Sequence, residues 1–200
     1  MKTVTNQLIP SMKTSLKQQI GSTFLSYDCE FIEDSSSIVQ CGIKLNFENK
    51  SLYLLCDLEY FDFLGGDDFS FIKVFDQNNS DFDKYKQKNK WKNISVNKKI
   101  IDIQIVTESF HCQNIDEDID ENFICDFGIV FVFEDSKLLF EKSNNSLEFI
   151  DIKSFSTNGN ISFYDNSKEF YGEKEFSEDD FLYHTFRDRR IFSLYYNKEI

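Results

Sequence analysis

Residues 42–54 read GIKLNFENKSLYL, and residues 128–140 read GIVFVFEDSKLLF. The two stretches align without a gap and share Gly42/Gly128, Ile43/Ile129, Phe47/Phe133, Glu48/Glu134 and Leu52/Leu138. A unit that recurs along a chain usually marks a recurring supersecondary piece. In GIKLNFE, Ile43, Leu45 and Phe47 alternate with Lys44, Asn46 and Glu48, the period of a strand with one buried face. GIVFVFE is apolar on both faces up to Glu134, which predicts a central strand covered on both sides. Glu48-Asn49-Lys50-Ser51 and Glu134-Asp135-Ser136-Lys137 have the polar character of hairpin turns.

Working outward, the similarity continues if loops differ in length. IGSTFLSY from Ile20 resembles IDIQIVTE from Ile101, pairing Phe24 with Ile105, at an offset of 81 residues against 86 for the central blocks. Leu58-Glu59-Tyr60 resembles Leu147-Glu148-Phe149, at an offset of 89. Ser11 is placed to cap a helix over MKTSLKQQI that Gly21 closes. Asn158-Gly159, between SFST and ISFY, predicts a type I′ hairpin turn. Ser177-Glu178-Asp179-Asp180 resembles a capping box opening a helix over Phe181–Arg190, and RIFSLYYN follows as a closing strand. The expected fold is α+β. Two similar antiparallel β units carry short helices at the N-terminus, between the copies and near the C-terminus. Residues 1–95 would hold the first unit and a Lys-rich connector, and 96–200 the second unit and an acidic C-terminal segment, packed as one globular body.

The chain has no alanine, one proline, and nineteen lysines against three arginines. Its twenty-three phenylalanines are core material first, because each buries a large apolar area. No stretch approaches the roughly 20 apolar residues of a membrane helix, and the N-terminus lacks the apolar core of a secretory signal. Cys29, Cys41, Cys56, Cys112 and Cys125 show no CxxC spacing. Pairs Cys29/Cys41 and Cys112/Cys125 could face each other across hairpins, but reduced thiols in a cytoplasmic protein are the expectation.

Charge is unevenly spread. Residues 1–100 carry thirteen acids and thirteen Lys/Arg, whereas residues 101–200 carry twenty-two acids against nine, the whole of the net −13. Two clusters stand out: Asp116, Glu117, Asp118, Asp120 and Glu121, and Glu173, Glu175, Glu178, Asp179 and Asp180. Such a field repels nucleic-acid phosphates and speeds encounter with cationic partners. Lysines 84, 86, 88, 90 and 92 with Tyr85 and Trp91 could track single-stranded nucleic acid. The segment is short, arginine-free and set in an acidic chain, so it is assigned to a polar helical connector instead.

Catalytic patterns are missing. There is no GxGxxG or GxxxxGK[ST] phosphate loop. His111 and His184 are the only histidines, too few at too irregular a spacing for zinc. Asp116-x-Asp118-x-Asp120 fails the calcium-loop test, with Glu121 where glycine is needed and Phe127 where glutamate is. A small enzyme using His, Cys or carboxylate groups is therefore the weaker alternative, with no cofactor or metal implied.

The GIxFxFEDxxxLF hairpin at Gly128–Phe140, the acidic balance and the missing catalytic motifs together resemble the small immunity proteins of bacterial polymorphic and contact-dependent toxin systems. That resemblance covers about residues 95–152 and implies a cytoplasmic, non-enzymatic protein that binds and neutralises a cognate cationic toxin domain. It transfers no site residue. From the charge map, the partner contact is expected at Asp116, Glu117, Asp118, Asp120 and Glu121 and at Glu173, Glu175, Glu178, Asp179 and Asp180, with Tyr171 as an aromatic anchor. A generic interaction or structural protein is the alternative.

Overall fold

The computed structural model describes residues 2–31, 35–61, 67–76, 91–114, 119–142, 149–161 and 183–200. In chain order these form β1 (Lys2–Asn6), α1 (Pro10–Lys17), β2 (Thr23–Phe31), β3 (Ile38–Phe47), β4 (Ser51–Phe61), β5 (Asp67–Phe75) and β6 (Lys92–Lys99). They continue as β7 (Asp102–Asn114), β8 (Ile119–Val132), β9 (Ser136–Lys142), β10 (Phe149–Ser156), β11 (Tyr183–Ser193) and β12 (Lys198–Glu199). Among the described residues α1 is the one helix, so the fold is almost wholly β and the α+β expectation is corrected. The expected helix at Phe181–Arg190 is strand from Tyr183 onward, because β11 pairs antiparallel with β7 from Tyr183↔Asn114 to Ser193↔Gln104. Local capping signals lose to an eleven-residue ladder of tertiary pairing. The helical connector expected between the units falls on residues 77–90, outside the described residues, and Lys92 already belongs to β6.

The strands form two units with the same plan. The first runs β6-β2-β3-β4-β5 across the sheet and the second β11-β7-β8-β9-β10, joined where β10 pairs with β3. In each unit four consecutive strands form an antiparallel meander, and a fifth returns to lie beside the first. The central hairpins superimpose in register: Ile43 faces Leu54 as Ile129 faces Phe140, and Leu45 faces Leu52 as Phe131 faces Leu138. The flanking matches do not. Ile43 lies opposite Cys29 and Ile129 opposite Ile105, so the structural offset of the first strand is 76 residues, not 81. Tyr60 sits on β4 but Phe149 opens β10, which are not equivalent strands.

Alternation carries the inner faces of both units into one core. Phe24 and Phe47 of the first unit meet Phe131 of the second at ring-centroid distances of 4.9 and 5.9 Å, and Tyr27 meets Phe140 edge-on at 5.5 Å. Such pairs contribute about 0.5–1.5 kcal/mol each beyond the area they bury. β8 is buried on both sides, as its two-sided apolar pattern implies: Ile129 and Phe131 enter the shared core, while Phe127, Val130 and Val132 form a second cluster with Val106 and Leu139. Phe127 is an extra residue in the β7–β8 ladder, between the pairs Val106↔Gly128 and Thr107↔Asp126. Its buried ring lies 5.0 Å from the Arg189 guanidinium.

Several turn details differ from expectation. Helix α1 starts at Pro10 after Ile9, without a side-chain cap, so Ser11 is already helical. Proline suits the first helical position, because its missing N–H would have no partner there. Gly21 adopts φ +89° where the chain reverses toward β2. Asn158 and Gly159 are not at positive φ; the Gly159 N–H donates to the Ser156 carbonyl at 2.9 Å. That turn centres on Thr157 and Asn158, with glycine at its fourth position, so it is not type I′.

Candidate functional site

Of the residues expected to meet a partner, Asp116, Glu117, Asp118, Tyr171, Glu173, Glu175, Glu178, Asp179 and Asp180 lie outside the described residues. Asp120 and Glu121 lie at the start of β8 and are engaged within the chain. His111 Nε2 is 2.7 Å from Asp120 Oδ1, and that hydrogen bond holds the Asp120 carboxyl below the usual carboxylate range. Glu121 reaches Lys2 at 3.8 Å across the β1–β8 pairing. His184 lies in β11 opposite Gln113.

Buried polar groups elsewhere hold the scaffold together. Glu108 pairs with Arg189 at 2.7 Å, and Lys153 with Glu141 and Asp151. Asp126, 2% exposed, accepts the Leu8 N–H and the Thr107 hydroxyl, each at 2.7 Å. The thiols of Cys29 and Cys125 are buried. Burial pushes Cys29 up to about 12 and also raises Cys125, so neither supplies the thiolate that nucleophilic chemistry needs. Among the described residues no group of three His, Cys, Asp or Glu side chains is placed to hold a metal.

The surface with binding character lies where β11 turns into β12. Tyr195 and Tyr196 are 58% and 63% exposed and stand T-shaped at 4.9 Å. Their backbone is pinned: Tyr195 N–H donates to Asp102 Oδ1 and Tyr196 N–H to Ser193 Oγ, both at 3.0 Å. Asn197 at φ +54° completes the turn, a conformation asparagine tolerates well. Ile101, at the entry to β7, is 46% exposed beside them. Together these residues border an open groove of about 560 Å³ whose floor includes Asp102, Gln104 and Val132. Rigid tyrosines with apolar neighbours are the side chains that dominate protein interfaces.

Sequence reasoning missed this patch. The signal that could have found it is Asn197, a residue that tolerates the left-handed conformation and so marks a turn directly after Tyr195 and Tyr196. No protein-family model matches the chain, and neither a curated protein nor a solved structure does. No helix among the described residues is long and apolar enough to cross a membrane.

Proposed function

We propose that this protein is a non-enzymatic binding protein, and that it acts as an immunity protein, capturing a cognate cationic toxin domain in the cytoplasm. The observation that carries the reading is the exposed Tyr195–Tyr196 pair beside Ile101 over a groove. Contiguous exposed apolar surface on a soluble protein marks an interaction site more often than chance. The net −13, concentrated in the second half, would steer a basic partner toward that half and raise its association rate. In this reading the acidic residues of Asp116–Glu121 and Glu173–Asp180 supply steering charge, and Tyr195 and Tyr196 the aromatic anchor. A general protein-interaction role for a different partner would use the same surface.

The test is co-expression with the gene immediately upstream. Rescue from a lethal product and co-purification with it are expected. Replacing Tyr195 and Tyr196 together with alanine should weaken the complex about thirtyfold, the effect of losing ~2 kcal/mol of hot-spot contact. Unrelieved lethality in co-expression with wild type would sink the immunity reading.

A further inference from the structure

The floor of the tyrosine groove holds a buried carboxylate with no cation from the described residues beside it. Asp102 is 5% exposed. Its Oδ1 accepts the Tyr195 N–H at 3.0 Å, and its Oδ2 accepts Gln104 Nε2 at 3.2 Å. Both donors are neutral. Among the described residues no lysine or arginine nitrogen comes within ion-pair distance of it. The other deeply buried acids are treated differently: Glu108 has Arg189, Glu141 and Asp151 share Lys153, and Asp126 has Lys13 at 3.4 Å. A buried carboxylate is costly unless a cation or several donors compensate it. A carboxylate offers about four acceptor positions, and Asp102 uses two.

The surroundings of Asp102 specify what would compensate it. Tyr195, Tyr196, Ile101 and Val132 line the groove together with Asp102. A flat cation suits that combination, because a guanidinium stacks on an aromatic face while its N–H fork reaches a carboxylate. Lys198 Nζ stands 5.7 Å from the centre of the Tyr196 ring, so a tyrosine of this surface already has a cation near its ring. Lys99 stands on the rim without pairing with Asp102, and a bound partner cation would have to outcompete it.

We infer that the groove floored by Asp102 and walled by Tyr195 and Tyr196 is the anchoring pocket for an arginine side chain of the partner protein. This rests on the reading of the tyrosine surface as the docking face. It adds the residue the partner contributes and the acid that receives it.

The probe is acetyl-Gly-Arg-Gly-amide, titrated into the ¹⁵N-labelled full chain and followed by amide chemical shifts. Saturable shifts at Gln104, Tyr195 and Tyr196 are expected, and no binding by the citrulline analogue, which has the same shape without charge. The lysine analogue should bind severalfold more weakly. Asp102→Asn keeps an oxygen for the Tyr195 N–H and should weaken arginine binding about tenfold. If that variant does not fold, Tyr196→Leu, at a largely exposed position, should weaken it severalfold through loss of stacking. Equal binding of citrulline, lysine binding as tight as arginine, unchanged affinity in both variants, or shifts scattered over other acids would each overturn the pocket. Partner capture that survives when the peptide fails to bind removes the pocket and leaves the binding function. Peptide binding without any partner rescue does the reverse.

Discussion

Asp126→Ala tests the joint between the N-terminal segment and the second β unit. The carboxylate is almost fully buried and receives the Leu8 N–H and the Thr107 hydroxyl at 2.7 Å each. Gln7 and Lys13 approach at 3.4 Å. A hydrogen bond to a charged group contributes about 1.5–3 kcal/mol, so the two short ones amount to roughly 3–6 kcal/mol. The partly exposed Lys13 pair adds about 0–1. Removing the carboxylate also relieves its own desolvation, which brings the expected loss to about 4 kcal/mol. Asp126→Asn retains one acceptor oxygen and should lose about half of that. With a urea slope near ~2 kcal/mol/M, the midpoint should fall by about 2 M in the alanine variant and about 1 M in the asparagine one. Domains of ordinary stability, about 5–15 kcal/mol, stay folded through such a loss. The Leu8 amide should lose hydrogen-exchange protection more than Phe131 does. A loss under about 1 kcal/mol, or unchanged protection at Leu8, would show that the N-terminal segment is held by something else.

Three further outcomes are expected. Gly128→Ala places a Cβ 3.2 Å from Glu141 Cβ, Leu139 Cδ1 and the Phe140 carbonyl, so it should cost about 1–3 kcal/mol by overpacking; an unchanged urea midpoint would refute the close approach. Cys29 has a reference value of 9.0 and is pushed to about 12. Between those limits the folded state keeps a proton that the unfolded chain releases, so stability should fall as pH rises from 9 to 12 by about 1.4 kcal/mol per unit. Tyr27, raised from 10.0 to about 12 by burial and then by Cys29, steepens the fall above pH 10. Cys29→Val should flatten the curve, and an identical slope would remove Cys29 from it. In the native protein Cys29 and Cys125 should resist iodoacetamide at pH 8 and react only on unfolding, as mass mapping of the peptides would show; rapid native labelling would contradict their burial.

The part of the fold that sequence made legible is the part where pattern and tertiary environment agree. The gapless match of 42–54 with 128–140 is two equivalent hairpins in the same register, and the two-sided apolar run of β8 is covered on both faces. Errors arose where a local signal stood alone. IGSTFLSY and IDIQIVTE share composition, but a bulge in β2 and five residues of slip separate that likeness from the true pairing. The Ser177–Asp180 capping pattern carried no information about β7, which captures the following residues as a strand. Asn158-Gly159 suited a tight hairpin, yet the turn formed one residue earlier. The groove was illegible for a related reason. Asp102 and Tyr195 are 93 residues apart, and that Asp102 is buried, with no cation of the described residues beside it, is visible only once the chain is folded.

β1 lies parallel beside the first half of β8, Lys2 opposite Glu121. The corresponding edge of β3 is taken instead by β10 of the other unit. The two halves are therefore alike in plan but not in assembly order. During synthesis β1 emerges well before its partner, and at about 5–20 residues per second the intervening stretch of chain takes roughly 6–24 s to make. For that interval the N-terminal strand has no β8 to pair with. Its sequence, KTVTN, is polar enough to wait in water, and the second half of the protein decides when the first residues find their place.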